Sequence, residues 1–188
     1  MSGCRARLRT TDAVAEPAAR PGLGRVLAAL IVGQLGLHSA MAGLRMAAPL
    51  QMLRDGYSPW SVGLLLALFA AAPVLFALRA GRLADRQGYH RPVHLSVALS
   101  VLGCGLALAS TFLSGGWHFA LLCGAAMATG TGANTGMLTI QRSAGLAAGS
   151  SVERMRVFSW LGMAPSFANV IGPVAVGFMI DAHGFAAG

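Results

Sequence analysis

Three polar residues interrupt the first long apolar run. Gln34, His38 and Arg45 are separated by four and seven residues, and at about 100° per residue those steps return to one helix face, with Met41 and Ala42 between them. Ionisable groups at membrane depth are costly and mark a site by default. An arginine there suits an anionic group or a carboxylate on another helix, and a histidine can bind a polar ligand or carry a proton near neutral pH. The plainer alternative is an Arg45 that snorkels outward and a His38 bonded to a backbone carbonyl. A second stripe, Thr131, Asn134 and Gln141, recurs at three- and seven-residue steps, with Met127 and Leu138 on the same face. Its uncharged groups could bind a substrate, or hydrogen-bond other helices for about 0.6–2 kcal/mol each.

Other chemistry finds little support. His90 and His94 are four apart, a spacing that could put two imidazoles on one metal. No carboxylate or cysteine ligand accompanies them, arginines crowd the stretch and Pro92 interrupts it, so no metal is expected. The chain has no GKS/T phosphate loop, GxSxG elbow or HExxH pair, which argues against an enzyme and against any nucleotide cofactor. Cys4, Cys104 and Cys123 form no CxxC pair and no even-numbered disulfide framework.

The elements that must position the two stripes are long and apolar. The 188 residues are 55% hydrophobic and 11% charged, with a mean hydropathy of +0.64. A soluble domain carries roughly 25% charged residues, so this chain has too little charge to cover a water-facing surface. A helix needs about 20 mainly apolar residues to cross a bilayer core of about 30 Å. Five segments qualify: Val26 to Leu50, Trp60 to Leu78, Val93 to Phe112, Trp117 to Ile140 and Val157 to Ile180. A sixth would begin just before Gly188. Membrane strands would be shorter and would alternate, so an all-α membrane protein is expected. Residues 1–24 are polar, arginine-rich and broken by Pro17 and Pro21. They read as a disordered tail before an uncleaved first span, because no short apolar core follows a basic start. Residues 25–188 form the helical bundle.

All fourteen basic residues are arginines, against six acidic ones. In a soluble protein that surplus would suggest nucleic acid, but here all the arginines except Arg45 sit in the gaps between apolar runs. Arg5, Arg7, Arg9, Arg20 and Arg25 precede the first span. Arg79, Arg82, Arg86 and Arg91 lie between the second and third, and Arg142, Arg154 and Arg156 between the fourth and fifth. The opposite side has only Arg54 and the arginine-free SGGW turn. The positive-inside rule then places the N-terminus in the cytoplasm, with the lipid bilayer rather than nucleic acid as the partner.

The densest of these gaps, residues 81–92, reads GRLADRQGYHRP. Gly81 and Gly88 permit close approach or a turn, Pro92 suits the first turn of a following helix, and Asp85 can pair with an arginine or a helix N-terminus. The stretch resembles the signature between the second and third spans of the major facilitator superfamily, roughly G-x-L-[AS]-D-R-x-G-[RK]-[RK]-[RK]. Gly81, Leu83, Ala84, Asp85, Arg86, Gly88 and Arg91 match; Tyr89 and His90 replace basic residues. A weaker likeness, to the glycine-rich G-P-x-x-G-G motif of antiporter branches, lies at Gly172, Pro173 and Gly177, with Val176 in place of a glycine. The arginine often found inside the fourth span is absent, Arg142 lying at its end.

The resemblance implies the N-terminal half of a secondary transporter of the bacterial inner membrane: five complete transmembrane helices plus the start of a sixth. It implies alternating access, small organic molecules as substrates, an ion gradient as the driving force and, from the glycine-rich motif, efflux. Gly81, Asp85, Arg86, Gly88 and Arg91 would form a conformational latch that closes on the second half. Gln34, His38, Arg45, Thr131, Asn134 and Gln141 would face the central cavity, and Gly172, Pro173 and Gly177 would pack helices. Since a full transporter of this kind has twelve spans, a fragment lacking its C-terminal half, unable to transport alone, is expected. The rivals are a half-size carrier acting as a homodimer and a non-transporting membrane scaffold or regulator.

Overall fold

Alanine- and leucine-rich segments satisfy their own backbone hydrogen bonds as helices and need no partner strand. The computed structural model describes residues 23–87 and 90–184, and within them all regular structure is helical. The helices are α1 (Leu23–Arg54), α2 (Pro59–Gln87), α3 (His90–Ser110), α4 (Gly115–Ala147) and α5 (Ser151–His183). α1, with 32 residues, is about 48 Å long at 1.5 Å per residue, well beyond the hydrocarbon thickness; α3, with 21, is close to it.

Among the described residues, four helices are long and apolar enough to cross a membrane: α1 from Leu27, α2 as far as Leu78, α3 and α5. The sequence reading counted five complete spans. α4 has the length, 33 residues, but its threonines, glycines, Asn134 and Gln141 lower its hydropathy. The reason is position. α2 and α3 lie along α4, and α1 touches it as well. A helix surrounded by others meets helix surfaces where its neighbours meet lipid. The expected start of a sixth span, from residue 185, lies outside the described residues.

The distribution of side chains is that of a bundle in an apolar solvent. Trp60, Val74, Leu78, Phe112 and Phe178 point outward, while the interior is built from Ala42, Ala48, Ala125, Ala126, Ala133, Ala164 and Ala168. Small residues let backbones approach closely. On α4, a Cβ added to Gly130 would lie 2.7 Å from the Phe69 carbonyl oxygen and 3.4 Å from the Pro73 ring. Pro73 cannot donate to Phe69, so α4 approaches α2 at the carbonyl that the proline leaves without its helical partner. On α3, a Cβ at Gly103 would collide with Thr129. Several buried hydroxyls are satisfied within their own helices: Thr129 donates to the Ala125 carbonyl at 2.8 Å, Thr139 to Thr135 at 2.8 Å and Ser96 to Val93 at 2.8 Å, whereas Ser100 Oγ has no partner.

α5 lies along α1. Its inner stripe is Val157, Leu161, Ala164, Ala168 and Gly172, recurring at three and four residues. Its start is fixed by a reciprocal cap. Ser150 Oγ accepts from the Glu153 amide at 3.1 Å, and the Glu153 carboxylate accepts from the Gly149 amide at 2.8 Å, a variant of the capping box.

Candidate functional site

The α1 stripe enters the bundle interior. Gln34 is fully buried, and neither its amide oxygen nor its amide nitrogen has a hydrogen-bond partner. His38, one turn on, is buried and has Nδ1 3.2 Å from the Gln34 carbonyl oxygen. The backbone-bonded alternative for His38 therefore describes this arrangement, and it leaves Nε2 available. Arg45 is exposed. Leaving a buried amide unpaired costs about 1–3 kcal/mol per group, so Gln34 is the outstanding polar feature of the interior.

Contacts on either side set its depth. Leu30 packs with Ile140 and Ala144 of α4 and with Val157 and Leu161 of α5. Leu37 lies against α4 at Gly136, where an added Cβ would be 2.5 Å from Leu37 Cδ1. Gln34 and His38 thus lie at the level of α4 residues 134–141, alongside the inner stripe of α5. Asn134 and Gln141 are half-buried at that level. Thr131 goes elsewhere. It lines an apolar cleft of about 570 Å³ with Phe76, Leu95, Leu99, Leu102 and Met127, all from α2, α3 and α4. The two stripes share a depth, and the structure does not gather all six residues round one cavity.

The seam that holds α5 to α1 depends on Gly172. A Cβ there would be 2.5 Å from the Ser39 carbonyl oxygen, 3.0 Å from the Gly43 nitrogen and 3.1 Å from Ala42 Cβ. Gly177 has more room, its nearest neighbour being Met46 Cε at 3.5 Å. Pro173 is half-buried inside α5.

The arginine-rich stretch is mostly helix rather than loop. α2 continues past its apolar part to Gln87, so Gly81, Asp85 and Arg86 occupy its last turns. Leu, Ala and Arg are good helix formers, and a single glycine does not stop them. The surroundings of Gly81 and the side-chain placement of Asp85 and Arg86 lie outside the described residues, as does Gly88 altogether. Arg91 is exposed in the first turn of α3, and Pro92 beside it is buried. His90 and His94 are exposed. Among the described residues no group of three His, Cys, Asp or Glu could hold a metal ion.

One cluster escaped the sequence reading. At the end of the bundle that carries the α1–α2 and α3–α4 turns, His118 is 2% exposed. It lies 3.5 Å from Asp55 Oδ2 and has Nδ1 2.8 Å from the Ser110 carbonyl oxygen. Tyr57 donates to the Gly115 carbonyl at 2.6 Å and stands beside the rings of His118 and Phe119, with centroids 5.8 and 6.1 Å away. Asp55 and His118 are 63 residues apart in sequence, and no local spacing links them. The only available signal was a histidine directly after the SGGW turn facing the hairpin with the lone Asp55.

Comparison with known proteins gives a consistent result. The family model described as Major Facilitator Superfamily matches residues 26–188. An uncharacterised MFS-type transporter of Enterobacter sp. (strain 638) is 28% identical over 149 residues, covering 78% of this chain and 37% of that protein. The chain thus spans well under half the length of the curated relative it matches. No solved structure matches it.

Proposed function

Because the chain belongs to the major facilitator superfamily, we propose that residues 25–188 are the first-half bundle of a secondary transporter for small organic molecules, working by alternating access and driven by an ion gradient. The observation that carries this reading beyond family membership is Gln34. A fully buried amide with both polar atoms unpaired is costly to a static scaffold and suits a helix face that meets a polar ligand in the working assembly. His38 one turn away, and Asn134 and Gln141 at the same depth, are the groups that would share that ligand. Arg45, farther along α1 and exposed, is placed to attract an anionic group at the mouth. Thr131 belongs to this set only if α2 or α3 moves, since it lines the cleft between them and α4.

Four of the five helices have the length and apolarity of membrane spans; we take α4 as the fifth, sheltered by its neighbours. The arginine bias supports an inner-membrane orientation with the N-terminus in the cytoplasm. In that orientation the end of α2 with Gly81, Asp85 and Arg86, followed by Gly88 and Arg91, is the cytoplasmic latch that a second half would close against. The close α1–α5 approach at Gly172 supports efflux, by likeness to the glycine-rich motif of antiporters.

Transport needs the second bundle, because the matched stretch corresponds to 37% of its relative and alternating access requires two halves to rock about one site. The test is flux in proteoliposomes under an imposed pH gradient, across a panel of fluorescent organic cations and anions. The chain alone should give none, and the chain joined to a second six-helix half should give flux that Gln34→Ala abolishes. Flux from the chain alone would refute the half-transporter reading. Flux indifferent to Gln34→Ala would remove α1 from the substrate path.

A further inference from the structure

The hydrogen bond of His118 to the end of α3 dictates its tautomer. The Ser110 carbonyl can only accept, so Nδ1, 2.8 Å away, must carry a hydrogen and donate it. In a neutral imidazole the other nitrogen, Nε2, is then a bare lone pair. Nε2 is buried, makes no hydrogen bond, and is aimed at Asp55 Oδ2 at 3.5 Å. A carboxylate is also an acceptor. Water can reach Asp55, which is partly exposed, but not Nε2 of His118, 2% exposed, so the neutral imidazole leaves a buried lone pair unsatisfied and facing a carboxylate, an arrangement that costs free energy. One proton on Nε2 turns the same geometry into a charge-assisted contact.

We propose that His118 and Asp55 form a proton-binding site, occupied as an imidazolium–carboxylate pair, that clasps the α1–α2 turn to the α3–α4 turn. The proton comes from water and returns to it, and loss of the proton leaves the Nδ1–H imidazole and the carboxylate with nothing between them. Its route is open: Asp55 is 45% exposed and lines, with Gln51, Tyr57, Thr111, Ser114 and His118, a pocket of about 700 Å³.

The surroundings bear on the charge from every side. From the α1–α2 turn come Asp55, its neighbour Arg54, which has a contact of its own, and Tyr57. The Tyr57 ring lies 5.8 Å from the imidazole at 31° and offers a π face to a cation, while its hydroxyl is already committed to Gly115. The end of α3 contributes only the Ser110 carbonyl and Thr111, neither titratable, and its terminal carbonyls favour a cation. The first turn of α4, on which His118 sits, opposes one. The carboxylate and the α3 end outweigh it because they are the groups in direct contact.

The test is the protonation of His118 itself. The chain has five histidines. Long-range proton–nitrogen spectra of the histidine-labelled chain in lipid nanodiscs, with His118 assigned from a His118→Gln sample, report both ring nitrogens between about pH 5 and pH 9. His118 should hold two protons on the acidic side and become the Nδ1–H form on the alkaline side. In Asp55→Asn it should be the neutral Nδ1–H form already on the acidic side, because the Asn amide can donate to Nε2 without a proton from solvent. A His118 that is neutral throughout in the wild-type chain, or that carries its neutral hydrogen on Nε2, overturns the site. Thermal unfolding supplies a second readout. The wild-type chain should lose stability as the pH rises through this range, and Asp55→Asn should not show that loss; identical pH profiles overturn the clasp even if the spectra cannot be assigned.

Discussion

The bundle buries two nitrogen-bearing side chains in opposite circumstances. Gln34, midway along α1, has an amide that meets no partner at either end. His118, in the first turn of α4, is anchored through Nδ1 to the end of α3, faced by Asp55 and flanked by Tyr57. One is a polar group that the fold surrounds without satisfying; the other is a polar group around which two turns are organised. A static bundle has every reason to keep the second and none to keep the first, so the contrast separates a group retained for work from one retained for assembly.

The seam beside Gln34 gives the largest expected effect. Gly172→Val would force a branched side chain into the space where even a Cβ lies 2.5 Å from the Ser39 carbonyl. Overpacking of that kind costs about 3 kcal/mol, and here α5 must leave α1, opening the Gln34 level while the turn-end cluster stays intact. Gly177→Ala, with its nearest neighbour at 3.5 Å, should change stability by less than about 0.5 kcal/mol. Unfolding titrations in mixed detergent–SDS micelles read both. Equal effects at the two glycines would mean that the seam is not where the close approach places it.

Next comes the organised group. His118→Leu keeps most of the volume and removes the donor to Ser110 and the partner of Asp55. A loss of about 2 kcal/mol is expected in the same titration, with Phe119 and the hydrophobic core around Met52, Leu65 and Leu122 left in place. A smaller loss than that of Tyr57→Phe would reverse the ranking within the cluster and make the phenol, not the imidazole, its centre.

Gln34→Met is the converse case. Methionine fills about the same space without polar atoms, so removing an unpaired amide should stabilise the chain, by about 1 kcal/mol, while weakening ligand binding in the completed transporter. A stabilised, still active variant would leave Gln34 without a role; a destabilised one would show that its amide has a partner in the membrane and that the contrast with His118 is false.

What the sequence disclosed follows the same division. Periodicity and composition are enough to find helices that must cross an apolar solvent, because twenty uncharged residues in a row have few other uses. They also placed Gln34, His38 and Arg45 on one face, of which the first two are buried and Arg45 is exposed. Two things were hidden. The length of α2 was underestimated because hydropathy ends at Leu78 while helix propensity continues, and the two signals agree only inside the bilayer. The Asp55–His118 pair was missed because it joins two turns, and the register between α1 and α4 that brings them together is set by how Leu30, Leu37 and Met52 pack, not by any local spacing. For the same reason Thr131 looked like a companion of Asn134, although α3 stands close enough to α4 to enclose it in a separate cleft.

The smallest effect is the most selective. Tyr57→Phe keeps the ring beside His118 and Phe119 and deletes only the hydroxyl that donates to the Gly115 carbonyl at 2.6 Å. Tyr57 is partly open to solvent and the carbonyl can turn to water, so the loss should be near the lower end of a neutral hydrogen bond, about 0.5–1 kcal/mol. The measurement that sharpens the contrast is its combination with Asp55→Asn. Both residues tie the first turn to the second, one through Gly115 and the other through His118, so in a double-mutant cycle the two should couple, each loss being larger when the other tie is already cut. Combining Tyr57→Phe with Gln34→Met should instead give additive changes, because the α1 amide belongs to a different level of the bundle. Coupling between Tyr57 and Gln34 would join the two sites through α1 and end the distinction between them.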